Sequence, residues 1–329
     1  MKKEKALRIE LPQGAEYRRV EVTDSGISII YAEESVDTVM ESSEAETTKS
    51  TQVVESEKPF INRRVKRAPR FEASSISETS SQIPTSKPTP LIGGTDVYQK
   101  DNGTNYWYCK IKGGRDEFMY LYFGDLTSDD LLYDAEGKER RFYTAREREF
   151  KINVLNALEH RPESGFVWIP VYEPSKDSDG NLQYVSGEKV LRELNCYTWE
   201  ETFNNYSPEN GSRMASMTTY HLLLLRWIKD GIATVEQIAN DSAEIGHFYD
   251  SPNAKGYLEK TGERQFGGLY GFVGNTYKVV KDSEAVSGFS NCGSSYAYTG
   301  RKIPLADVVH DSYPYLTMQY GVGLIELIR

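Results

Sequence analysis

The sequence predicts an α+β protein: a small all-β unit at the amino terminus, a disordered linker, and a carboxy-terminal domain of short helices, small twisted sheets and long irregular loops. Three observations predict it. Apolar residues alternate with polar ones over residues 6–32, a stretch rich in Glu, Ser, Thr, Lys and Pro follows over 33–90, and from Leu91 onward glycines punctuate short aromatic runs. Period-two alternation marks a half-buried strand, and aromatics favour the pleated surface of a sheet.

Each element follows in turn. Leu7, Ile9 and Leu11, then Val20 and Val22, then Ile27, Ile29 and Tyr31 alternate around an Asp24-Ser25-Gly26 turn, so residues 1–32 form a hairpin or short meander. So small a sheet is marginal alone and is expected to anchor on a neighbour or assemble with copies of itself. Residues 33–90 hold only isolated apolar side chains and cannot offset the entropy of ordering, while Pro84, Pro88 and Pro90 stiffen the approach to the next unit. Residues 91–164 read as a β-rich lead-in with one helix. Its strands lie over 106–111 and 118–123 across Gly113-Gly114, and its helix over 144–158, where Phe150, Val154 and Leu158 share a face behind Thr144 as N-cap.

The last domain, 165–329, opens on the apolar run 166–172. A helix over 198–206 starts on Thr198-Trp199-Glu200-Glu201, a capping-box pattern. A leucine-rich helix over 218–229 is stopped by Asp230-Gly231. Beyond it the chain is expected to be mostly irregular, with a few short strands and a last one over 320–328. Within that stretch, Gly267-Gly268-Leu269-Tyr270-Gly271-Phe272-Val273-Gly274-Asn275 reads as a structural knot. Gly274-Asn275 suits a tight reversal while Leu269, Phe272 and Val273 pack inward.

Bulk chemistry narrows the function. The chain of 329 residues carries 39 basic against 49 acidic side chains, a net charge of −10, which argues against a general nucleic-acid binder. The basic cluster Arg63-Arg64-Val65-Lys66-Arg67-Ala68-Pro69-Arg70 lies in the linker and reads as a tether segment first and a nucleic-acid patch second. The 23 tyrosines fit either a binding surface or a β-rich fold with many half-buried positions. Cys109, Cys196 and Cys292 are too few and too scattered for a disulfide framework or a zinc site. No apolar run approaches the ~20 residues that span a bilayer. Met1-Lys2-Lys3-Glu4-Lys5 leads into no apolar h-region, so synthesis in the cytoplasm without a secretory signal is expected.

Candidate chemistry is sparse. His160, His221, His247 and His310 show no metal-ligand spacing, and His310-Asp311-Ser312 cannot form a triad because adjacent side chains point in different directions. Asp177, Asp179 and Asn181 match the first positions of a calcium loop, but Leu182 stands where that loop needs glycine, so a polar hairpin turn is expected there and calcium is the one ion to test. Cys292 has no neighbouring base to make it a thiolate. Its segment, Phe289-Ser290-Asn291-Cys292-Gly293-Ser294-Ser295-Tyr296-Ala297-Tyr298, suits recognition, since Ser and Asn adapt their hydrogen bonds and Tyr supplies area at low entropy cost.

The order of pieces over roughly 165–329 resembles the formylglycine-generating-enzyme (sulfatase-modifying factor) type of C-type lectin-like fold. Four blocks carry the resemblance: Thr198-Trp199-Glu200-Glu201, the run from Gly211 through Trp227, Gly268-Leu269-Tyr270-Gly271-Phe272-Val273-Gly274-Asn275-Thr276-Tyr277, and the ending Tyr320-Gly321-Val322-Gly323-Leu324. The third is similar to the family's G-L-Y-D-M-x-G-N-V-W-E-W turn. The family's paired copper-binding cysteines are not matched, since only Cys292 falls in the corresponding region, and R-G-G-S-W is replaced by Ser287-Gly288-Phe289-Ser290-Asn291. The resemblance therefore implies a non-catalytic branch, such as phage receptor-binding tips or the variable proteins of diversity-generating retroelements. It implies a ligand surface at Tyr277, Ser290, Asn291, Ser294, Tyr296, Tyr298, Asp311, Tyr313 and Tyr315, with a protein or glycan receptor on a cell surface as partner, and virion association. The rival readings are a divergent metal-dependent oxidase of that family, using Cys292 or a histidine-bound metal, and a purely architectural virion protein.

Overall fold

The structure, a computed structural model, describes residues 17–23, 26–31, 87–252, 254–310, 314–315 and 320–329. Contacts divide the chain into two units, 1–75 and 76–329. In the first, β1 (Tyr17–Thr23) and β2 (Gly26–Tyr31) pair antiparallel, Val20 opposite Ile29 and Val22 opposite Ile27. This is the hairpin that the alternation predicts. Leu7, Ile9, Leu11, Asp24, Ser25 and most of the linker lie outside the described residues.

The second unit is mixed α/β, with few helices and small sheets. In chain order it begins with β3 (Tyr98–Gln99), β4 (Trp107–Ile111), β5 (Asp116–Tyr122), α1 (Ser128–Leu132), α2 (Ala145–Glu159) and β6 (Phe166–Pro170). A small hairpin, β7 (Ser175–Lys176) and β8 (Leu182–Gln183), leads to α3 (Cys196–Asn204), β9 (Ser212–Met214), α4 (Met217–Lys229) and α5 (Val235–Ala239). The remainder holds only short strands: β10 (Gln265–Phe266), β11 (Leu269–Tyr270), β12 (Tyr277–Lys281), β13 (Phe289–Cys292), β14 (Val308–Val309), β15 (Gly321–Gly323) and β16 (Ile325–Leu327).

One six-stranded sheet, ordered β3-β4-β5-β6-β16-β9, runs through this unit, and a four-stranded sheet, β14-β13-β12-β15, accompanies it. A boundary at residue 165 is thereby corrected. The lead-in strands β4 and β5 pair side by side with β6, Tyr120 opposite Trp168, so residues 91–164 and 165–329 share one sheet. Only backbone pairing reveals this, because each strand taken alone satisfies the same apolar pattern.

Period two puts successive side chains on opposite faces, and each face has its own core. On one, Tyr108, Met119, Leu121, Val167 and Ile169 pack with Phe150 and Val154 of α2 and Leu222 to Leu225 of α4. On the other, Cys109, Ile111, Phe118 and Trp168 pack with Trp199 and Phe203 of α3 and with Val279, Phe289 and Val322 of the smaller sheet. Helix α4 is buried nearly all round, as a leucine run without a polar face requires. Its single deep charge, Arg226, is held by Asp230 at 2.6 Å and Asp125 at 2.8 Å.

The helix caps partly follow expectation. Thr144 caps α2 by accepting from the Glu147 amide at 3.0 Å, as its spacing predicts. Helix α3 begins two residues earlier than predicted. Asn195 is the cap, accepting from the Thr198 amide at 2.8 Å, because its side-chain carbonyl reaches the third amide and Thr198 falls inside the first turn. Helix α4 likewise starts one residue earlier, capped by Ser216. Helices α1 and α5 were not expected, although Thr234 and Gln237 form a capping box at α5.

The glycine knot packs as its sequence suggests. Leu269, Phe272 and Val273 are buried, and Gly274 has φ +83 with backbone of His247 where a Cβ would stand. Asn275 is more than a turn residue. It is buried, accepts from the Glu259 amide at 3.0 Å and donates to Glu173 Oε2 at 2.6 Å. Glu173 also accepts from Thr276 at 2.6 Å and pairs with Lys278 at 3.2 Å, both charges being 3 % exposed. Burial pulls the Lys278 ammonium down from its ordinary value and Glu173 opposes that pull. Glu173→Ala leaves the cation buried without its partner and is expected to destabilise the unit by about 3–5 kcal/mol, read as a lower guanidinium midpoint. Replacing both, Glu173→Leu with Lys278→Met, is expected to recover part of that loss.

Candidate functional site: a tyrosine-bearing surface

The expected ligand residues separate into groups. Tyr277 stands at the start of β12, with its ring centroid 5.8 Å from that of Tyr298 at an interplanar angle of 64°. Tyr296 lies 6.0 Å from Tyr320 and stacks on His247 at 6.4 Å. Tyr298 is tied to its surroundings by its carbonyl, which accepts from the Tyr249 amide at 2.8 Å. Tyr315 belongs to a second cluster. It is 77 % exposed and packs 5.1 Å from Tyr197, whose ring meets Phe289 edge-on at 5.3 Å. Edge-on packing fixes Tyr277 against Tyr298 and Tyr197 against Phe289, and the hydroxyls of Tyr277 with Tyr298 and of Tyr197 with Tyr315 are hydrogen-bonded to each other. Burial, reinforced by Tyr298, pushes the Tyr277 hydroxyl up to about 12, so it remains a donor throughout the physiological range.

Two expected residues are not on the surface. Ser290 is buried and donates to Asp282 Oδ2 at 2.6 Å, and Ser294 is buried at 1 %. Strand alternation explains Ser290: it turns to the opposite face from Phe289 and Asn291. Asn291 is half-buried, and its Oδ1 has no hydrogen-bond partner. Asp311 and Tyr313 lie outside the described residues. Sequence reading missed Tyr197, Tyr320 and Tyr249. Tyr197 carries no periodic signal, since it sits on the outward side of the first turn of α3.

A second aromatic cleft was also missed. Tyr106, Trp107, Tyr120 and Tyr122 line a cavity of about 320 Å³ beside Arg226 and Asp230. Tyr106 donates to Asp230 at 2.8 Å, and Arg226 grips the same carboxylate through two nitrogens at 2.8 and 2.6 Å. Trp107, Tyr120 and Tyr122 come from β4 and β5, paired in the large sheet, and Tyr106 from the residue just before β4, a grouping that no single stretch of sequence announces.

The remaining candidates resolve individually. Asp177 accepts from the amides of Asp179 and Asn181 at 3.0 and 2.8 Å and from the Asn181 side chain at 3.1 Å. Those bonds, from Asn181 first, hold its carboxyl below the ordinary range, and the segment is the hairpin turn between β7 and β8. Among the described residues no three His, Cys, Asp or Glu side chains are grouped to hold a metal ion. Cys292 is fully buried, and burial pushes its thiol well above its ordinary value. Among the described residues no helix is long and apolar enough to cross a membrane.

Comparison of the chain with protein-family models, with curated proteins and with solved structures finds no match.

His221 gives the fold a pH dependence. Burial pulls its imidazole down from 6.5 to about 4. The unfolded chain therefore binds a proton that the folded one refuses as pH falls through that window. Stability is complete above the unfolded value and declines towards the folded one, by up to about 3 kcal/mol from this group. Urea unfolding at pH 7 and pH 4.5 is expected to show the decline, and His221→Gln to diminish the difference between the two.

Proposed function

We propose that this is a ligand-binding protein: a recognition domain of C-type lectin-like type, joined by a linker to an amino-terminal hairpin that anchors or assembles it. The observation that carries this reading is the grouping of Tyr277, Tyr296, Tyr298 and Tyr320, and of Tyr197 and Tyr315, from segments far apart in sequence. Rigid aromatic bodies with hydrogen-bonding tips supply contact area at little entropic cost. A frame of two cores behind them lets irregular segments carry such groups without disturbing the fold. The layout of anchor, tether and display suits a phage or prophage tail protein, or a retroelement-diversified receptor binder, whose partner is a protein or glycan on a cell surface.

The oxidase reading finds less support. Cys292 is buried in apolar surroundings that disfavour its thiolate, and Cys109 and Cys196 are also buried free thiols. Metal analysis of the purified protein tests that rival, for which stoichiometric copper or iron is required.

Fluorescently labelled protein applied to a glycan array and to a panel of bacterial cells tests the binding reading. Tyr315→Ala combined with Tyr197→Ala, and separately Tyr296→Ala with Tyr298→Ala, are each expected to lower binding roughly tenfold or more while the far-ultraviolet spectrum is unchanged. Binding that survives both pairs in folded protein removes this surface as the site.

A further inference from the structure

Helix α2, the first turn of α4 and the segment after β12 enclose a cavity of about 390 Å³ that the tyrosine surface does not use. The amides of a helix's first turn have no intrahelical acceptor and carry the positive end of its dipole. In α4, Ser216 satisfies the Thr219 amide at 3.1 Å, while Met217 and Thr218 line the cavity. Lys281 and His310 line it too, and Lys281 brings a further donor. Lys281 is partly exposed and pairs with Glu200 at 3.2 Å on the rim.

The acidic residues there do not reverse this character. Asp282 is 4 % exposed and already accepts from His310 Nδ1 at 3.0 Å, from the Ser290 hydroxyl at 2.6 Å and from the Glu284 amide at 3.0 Å. Glu284 is exposed and free to turn to water. With Nδ1 donating to Asp282, the Nε2 of the neutral His310 ring is an acceptor.

A separate observation points to an occupant. His221, 2 % exposed, lines the same cavity, and its Nε2 has no hydrogen-bond partner. Its other ring nitrogen is engaged by the Met217 carbonyl, so the unpartnered nitrogen bears a lone pair in want of a donor. A buried acceptor left unpaired costs free energy that a ligand can restore. The occupant therefore has to present anionic oxygens and a hydroxyl proton together. An ionised carboxylate and a sulfate have no such proton near neutral pH. A phosphate monoester, whose second ionisation falls near pH 6, keeps it in part of its population at pH 6.5.

We infer that this cavity binds a small phosphate monoester, its anionic oxygens on the α4 amides and Lys281, and its protonated oxygen donating to His221 Nε2. The inference is independent of the tyrosine surface and stands or falls without it.

Calorimetric titration of the full chain at pH 6.5 with inorganic phosphate, glycerol 3-phosphate, sulfate and glycerol tests it. Saturable 1:1 binding of at least one of the two phosphates is expected, with sulfate about tenfold weaker or more and glycerol silent. Lys281→Ala, on the cavity rim, is expected to weaken phosphate about tenfold. His221→Phe is expected to remove the preference for phosphate over sulfate. Should that variant fold poorly, amide chemical-shift changes at Met217 and Thr218 of the unaltered protein carry the same information. Absence of binding by both phosphates, equal affinity for sulfate, or shift changes confined to other regions overturns the proposal.

Discussion

Glu173 and Lys278 form the contact on which the rest of the second unit depends. Glu173 lies just beyond Val171 and Tyr172, which follow the end of β6 in the large sheet, and Lys278 lies on β12, in the small one. Two charges 3 % exposed are expensive to desolvate, and that cost is offset only when every remaining lone pair and proton finds a partner. Here Asn275 and Thr276 complete the carboxylate, while the carbonyls of Gly271 and Thr276 accept from the ammonium at 3.0 and 2.8 Å. The glycine knot exists to make this possible. A Cβ at Gly271 would collide with the Glu173 carboxylate, so the backbone comes close only because that residue has none.

The topology places a second demand on the chain. Strand β16, at the carboxy terminus, sits between β6 and β9 in the large sheet, and β15 just before it runs parallel to β12 in the small one. The last residues thus close both sheets, a long-range pairing whose loop entropy is met before its contacts are gained. Glu326 in β16 is buried, accepting from Arg213 at 2.7 Å and from Thr219, so β16 is joined by side chains to both β9 and α4. Burial raises its carboxyl above the ordinary range despite those partners.

With two cores fixing the frame, the loops between β12 and β15 are free to carry surface chemistry. Tyrosines stand there on short strands and turns whose backbone is pinned by individual hydrogen bonds, as that of Tyr298 is by Tyr249. The phosphate-type cavity and the Tyr106–Trp107 cleft use different walls of the same frame. Each draws its polar groups from elements that also serve packing: Arg226 and His221 belong to the most deeply buried helix in the unit.

Local patterns determined much of this protein directly. Alternation in the amino-terminal segment defines its hairpin, the i, i+4, i+8 spacing of Phe150, Val154 and Leu158 defines α2, and the leucine run ended by Asp230-Gly231 defines α4, because strand and helix periods act over a few residues. The packing of the glycine knot was legible for the same reason. What tertiary structure alone decided is who meets whom: β4 and β5 joining the sheet of β6, β16 entering between distant strands, Asn195 outcompeting Thr198 as a cap, and Ser290 turning inward to Asp282. Such outcomes depend on contacts and pairing energies between segments or side chains that no repeat links, and a periodicity read along one segment carries no information about them.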